Sequence, residues 1–141
     1  MAATAIHLTW FNPVQLTWGP NLLHTHTPDK AFFVLADPHA ISLAMEADLR
    51  SHWGELCQGW IWQRSAQSSM SAALELCQQL WPMWATQPDA ALLAIGGGTT
   101  LDLAKLARFE LPDLSQATSV WRANKLPYPH KRHTLWCAPT T

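Results

Sequence analysis

The 141-residue sequence predicts an α/β fold: a parallel sheet flanked by helices, preceded by a pair of strands. Three observations predict it. Short apolar runs at 31–36, 90–95 and 134–138 have the length of strands buried on both faces, as parallel strands are. Between them apolar residues recur at helical spacing, most clearly Met70, Ala73, Leu74, Cys77, Leu80, Trp81 and Trp84. Finally, Gly96-Gly97-Gly98 stands directly after one strand run and directly before a helix-forming run. Strands alternating with helices of this length give a parallel sheet.

Taken in order, residues 6–11 and 14–18 are apolar runs parted by Asn12-Pro13, which reads as the strand pair. A short helix through Leu22, Leu23 and His24 follows. His24 and His26 alternate as strand ligands would, but without a third partner they read as surface residues. The run 31–36 ends at Asp37-Pro38, a helix start with Asp as N-cap and Pro at the first position. That helix carries Ile41, Met45, Leu49 and Trp53 on one face. An acid at the end of a parallel strand can equally accept hydrogen bonds from a ribose. Residues 59–65 are a weaker strand candidate. Ser68 or Ser69 caps the next helix, which Pro82 should end or kink. The last helix of the series covers 101–109 and closes at Leu111-Pro112-Asp113. Residues 113–132 read as an irregular basic loop: His130-x-x-His133 could bind a metal on a helix, but Pro127 and Pro129 argue against a helix there, and the two histidines read as solvated. The final strand, 134–138, runs into Pro139-Thr140-Thr141.

Composition narrows the class of partner. The formal charge is −1, which gives no argument for nucleic acid or an anionic membrane surface. No apolar run approaches the length of a membrane span, and the N-terminus lacks a signal-peptide pattern. Charged residues are only 13% while there are nine tryptophans, so apolar surface is expected to face a partner. Cys57, Cys77 and Cys137 are widely spaced and odd in number, and read as buried free thiols of a reducing cytoplasm.

The glycine turn carries the chemistry. Strand, glycines and helix in that order leave free backbone N–H groups at a helix N-terminus, where a phosphate can approach closely. The alternative is a turn that uses glycine only for packing. The P-loop pattern is absent, since Lys105 lies seven residues past Gly98. The G-x-G-x-x-G fingerprint fails too, because Leu101 stands where its third glycine belongs. Residues 92–105 instead resemble the G-G-G-S-x-x-D-x-A-K signature of the iron-dependent (group III) alcohol dehydrogenases. Gly96, Gly97, Gly98, Asp102, Ala104 and Lys105 match, and Thr99 replaces the serine while keeping a hydroxyl. Pro139-Thr140-Thr141 matches the start of that family's Pro-Thr-Thr-Ala-Gly segment. Its Asn-Pro-Thr-like turn is replaced here by Arg64-Ser65-Ala66-Gln67.

The resemblance implies a Rossmann-like sheet and a single dinucleotide-binding domain over 1–141, the N-terminal half of a two-domain enzyme without its helical metal-binding domain. It implies hydride transfer between an alcohol and an aldehyde or ketone, with NAD favoured over NADP, in a homo-oligomer such as a dimer. Iron or zinc is expected only with the missing domain. Cofactor contacts carry over to Asp37, Gly97, Gly98, Thr99, Asp102, Thr140 and Thr141. For Asp102 the alternative is dipole complementation or an i, i+3 pair with Lys105. The competing function is a nucleotide-binding or interaction module without catalysis.

Overall fold

The apolar runs become strands and the periodic stretches become helices in a computed structural model that describes residues 17, 19–26, 28–111, 113–122 and 132–140. The expected strand pair at 6–18 falls almost wholly outside this set. Strands β1 (Phe32–Ala36), β2 (Cys57–Trp62), β3 (Ala91–Gly96) and β4 (Leu135–Pro139) form one sheet in the order β2-β1-β3-β4. Every neighbouring pair is parallel. With its flanking helices this is the Rossmann-like α/β fold that the sequence predicts. The central strands β1 and β3 are buried at every residue, whereas β2 and β4 lie at the edges and are only partly covered. This difference explains why the β2 run is the weakest strand signal in the sequence.

Helix α1 (Leu22–Thr25) precedes β1, and helices α2 (Leu43–Trp53), α3 (Met70–Thr86), α4 (Gly98–Ala107) and α5 (Ala117–Arg122) connect the strands. Their starts follow capping chemistry. Ser42 caps α2 by accepting from the Met45 N–H, and Ser69 caps α3 by accepting from the Ala72 N–H. Four expectations need correction. The N-cap of α2 is Ser42 rather than Asp37. Ile41 is buried ahead of the helix and Met45 is exposed, so only Leu49 and Trp53 remain of its expected stripe. The helix α3 runs through Pro82 to Thr86, because the carbonyl deprived of its donor belongs to Gln78 on the same exposed face. In the expected loop at 113–132, Asp113 accepts hydrogen bonds from the backbone and hydroxyl of Ser115. Those bonds hold its carboxyl below the usual range and open a 3-10 turn leading into α5.

Side-chain alternation divides the core into two. Phe33, Leu35, Leu92 and Ala94 face α3 and α4 on one side of the sheet. Phe32, Val34, Ala36, Leu93 and Ile95 face α2 on the other. The indoles are used inside. Trp84 is fully buried, donates to the Ala90 carbonyl at 2.9 Å and meets Phe33 edge-on. Trp81 ties α3 to the Ala107 carbonyl of α4, and Trp53 ties α2 to Leu23 of α1. The large apolar side chains left exposed among the described residues are Leu43 and Met45.

The loop after α4 returns to β4 through reciprocal bonds: the Arg108 guanidinium and the Arg108 carbonyl both bind the backbone of His133. His133 itself is 4% exposed, not solvated. Its ring stacks on Trp84 at 3.7 Å and its Nε2 lies 2.9 Å from Glu110. His130 lies outside the described residues. Trp84→Ala removes the largest fully buried side chain and two of its fastenings, and should cost about 3–5 kcal/mol in urea denaturation. A loss below about 1 kcal/mol would mean that this core is not organised around Trp84.

Candidate functional site

Open parallel sheets bind ligands beyond the carboxyl ends of their strands, where the chain reverses its direction of winding. In this sheet the reversal lies between β1 and β3. The chain leaves β1 toward α2 on one face and leaves β3 toward α4 on the other, so the two connections diverge and leave a crevice. Asp37 ends the first strand and Gly96-Gly97-Gly98 ends the second. Two backbone bonds continue the ladder past the strands: the Asp37 N–H donates to Ile95 at 2.9 Å and the Thr140 N–H to Gly96 at 3.0 Å. They bring the three connections to one edge.

The three glycines are not equivalent. A Cβ on Gly96 would lie 2.6 Å from Thr100 Oγ1 and 2.9 Å from Asp37 Cβ, so packing alone requires glycine there. At Gly97 and Gly98 a Cβ would meet nothing within 4 Å, and neither has positive φ. The fold leaves their residue type free, and the space above them is open. Gly97 is the N-cap of α4 and offers no side chain to its first turn. The N–H groups of Gly98, Thr99 and Thr100 therefore face the crevice uncapped, unlike the starts of α2 and α3. Thr100 adds a second orphan. It is 1% exposed, and its Oγ1 is buried beside Gly96 with no hydrogen-bond partner.

Of the residues singled out in the sequence, Asp37, Gly97, Gly98, Thr99 and Thr140 gather around this crevice. Asp37 is half-buried, and its Oδ1 accepts the His39 N–H at 2.8 Å, leaving Oδ2 for a ligand. Its backbone carbonyl accepts from Ala40 and Ile41, which makes it the head of a turn. Asp102 points to solvent one turn down α4 and pairs with Lys105 at 3.3 Å, an exposed pair. Thr141 lies outside the described residues. The sequence reading passes over Thr100 in favour of Thr99. Helical spacing was the available signal, since Thr100 shares the buried face of Leu103, Ala104 and Ala107.

Other polar groups do not build a competing centre. His24 makes an exposed pair with Asp48 at 2.6 Å, and His26 is exposed. Among the described residues no three His, Cys, Asp or Glu side chains converge as metal ligands would. The cysteines are free, but only Cys77 is buried, correcting the expectation for Cys57 and Cys137. Burial pushes the Cys77 thiol up to about 12. Partial desolvation also raises Cys57, with Arg50 opposing, and raises Cys137 against Lys105 and Arg108. None is an activated thiolate. No described helix is long and apolar enough to cross a membrane. Comparison with protein-family models, curated proteins and solved structures gives no match for this chain.

The geometry separates the glycines experimentally. Gly96→Ala should cost about 1–3 kcal/mol by overpacking. Gly98→Ala should be neutral or stabilise by up to about 1 kcal/mol, because Ala loses less entropy on folding. Thermal melts of both variants check this, and equal destabilisation would mean that all three glycines serve packing. Iodoacetamide at pH 8 should modify Cys137 in the native protein and spare Cys77, as peptide mapping would report. Early modification of Cys77 would contradict its burial.

Proposed function

We propose that this chain is the NAD(H)-binding domain of a metal-dependent alcohol dehydrogenase of the group III type. The observation that carries the reading is the uncapped first turn of α4, set at the switch point beside Asp37 with open space above Gly97 and Gly98. A cofactor pyrophosphate laid there accepts from several N–H groups at once and sits at the positive end of the helix dipole. The hydroxyls of Thr99 and Thr140 border the same place, and Oδ2 of Asp37 is available to an adenosine ribose hydroxyl. NAD(H), when bound, supplies the hydride acceptor or donor for an alcohol–carbonyl couple. The chain's own part is to bind and orient the cofactor along the carboxyl edge of the sheet. The resembled enzymes also use a metal. The described residues contain no ligand group that fits one, and no step is routed through it. A small alcohol or aldehyde substrate and a homo-oligomeric state complete the proposal.

The same lack of a ligand cluster favours a second reading, a nucleotide-binding module without catalysis. Both readings require NADH binding, and they part over whether alcohol oxidation with iron or zinc appears once a helical metal-binding domain is joined to this one. The chain alone is expected to bind NADH and to show no turnover. Gly98→Val should weaken NADH binding at least about tenfold, since each charged hydrogen bond lost is worth roughly 1.5–3 kcal/mol. An NADH affinity equal to wild type in a folded Gly98→Val protein would remove the phosphate from this turn.

Asp37 sets the expected choice between cofactors. A 2′-phosphate about 4 Å from its carboxylate costs on the order of 1–4 kcal/mol, so NADH should bind more tightly than NADPH. Asp37→Ala should narrow that ratio in parallel fluorescence titrations. An unchanged ratio would leave Asp37 as a turn residue only.

A further inference from the structure

We propose that the cavity at the amino edge of the sheet is a binding site for a phosphate group. It lies at the opposite end of the strands from the glycine turn, and the inference is independent of the dinucleotide reading. The cavity has a volume of about 470 Å³ and opens between the starts of β1, β3 and β4. That volume is within the usual range for small-ligand sites. Backbone bonds hold the three starts side by side. The Ala91 N–H donates to the Ala31 carbonyl at 3.0 Å, and the Leu92 N–H donates to the Thr134 carbonyl at 2.8 Å. His133, also on the lining, is 4% exposed with its ring stacked on Trp84, so this wall belongs to the core.

The polar groups of the lining are arranged for an anion. Lys30 is half-buried and reaches across the start of β3, where its Nζ donates to Thr134 Oγ1 at 2.9 Å. An ammonium has three donors, so two N–H groups of Lys30 remain. The Thr134 hydroxyl, having accepted from lysine, keeps its own proton to donate. Arg132 lines the same cavity and is exposed. Neither Lys30 nor Arg132 makes an ion pair among the described residues, and the acid on the lining, Asp89, pairs with neither. Positive charge also gathers behind the cavity. The Arg108 guanidinium is held below its ordinary range, first by burial and then by the charge of Arg132. A bound oxyanion offsets that repulsion and accepts charge-assisted bonds from lysine and arginine. The guanidinium fork matches two oxygens of one phosphate. Donors arriving from both the β1 and the β4 side suit the diverging oxygens of a tetrahedral anion better than a planar carboxylate.

The test titrates the ¹⁵N-labelled protein with inorganic phosphate at constant ionic strength, and with phenyl phosphate as a probe for an esterified group. Saturable shifts are expected at the amides of Ala31, Arg132 and Thr134. Lys30→Met and Arg132→Gln should each weaken binding at least about tenfold, since each removes a charged hydrogen bond. Asp89→Asn should tighten binding severalfold by removing the opposing charge, a gain that no loss of packing would produce. Tighter binding of phenyl phosphate assigns the site to a phosphate ester, and equal or weaker binding assigns it to the free ion. The site is overturned by shifts that do not saturate or that are confined to Gly97, Gly98 and Thr99. It is equally overturned by wild-type affinity in Lys30→Met and Arg132→Gln, both shown to be folded by circular dichroism. Should Lys30→Met not fold, Arg132→Gln and Asp89→Asn decide the matter. Either result leaves the NADH titration of Gly98→Val to be judged by itself.

Discussion

Gly96 has room for a hydrogen and nothing larger, and the arrangement of the site follows from that limit. Thr100 and Asp37 close on its α-carbon from two sides, while its carbonyl is held by Thr140. The contact fixes the angle at which β3 turns into α4, and with it the direction of the first-turn N–H groups. It also packs the end of β1 against the end of β3, beside the backbone bond from the Asp37 N–H to the Ile95 carbonyl. A crevice at a switch point is a property of topology. Its fixed width here is a property of one side chain that is missing.

The chemistry of the turn divides accordingly. Gly96 is needed by the fold, whereas Gly97 and Gly98 cost the chain conformational entropy without relieving any clash or strain. A sequence that retains glycine where alanine would fit gives up stability at that point. The uncapped turn and the orphan hydroxyl of Thr100 lie in the same place. Three such departures from a well-satisfied interior, all within a few residues, are what a binding edge looks like when local rules yield to function.

Much of this was legible in the sequence. The runs at 31–36 and 90–95 gave β1 and β3 to within one residue, because strands covered on both faces must be apolar throughout. The glycines gave the turn and the start of α4. Less legible were features set by neighbours distant in sequence. Asp37-Pro38 has the chemistry of a helix cap, yet Asp37 turns back on His39 and Ser42 takes the cap instead. Pro82 looked like a stop, and only its placement on an exposed face lets α3 continue. His133 reads as a loop histidine until Trp84 and Glu110, far away along the chain, are found against it. Helical spacing places Thr100 on the buried face of α4, but a threonine gives no sign of whether its hydroxyl will find a partner.

The central claim is that the start of α4 receives an anionic cofactor. Its most direct test is a two-dimensional ¹⁵N–¹H spectrum of the labelled protein recorded during an NADH titration. The account predicts that the amides of Gly97, Gly98, Thr99 and Thr100 move most, with Asp37 and Thr140 following at the same apparent affinity. Saturating NADH that leaves those amides in place, or that shifts only residues at the amino edge such as Lys30 and Thr134, would contradict it.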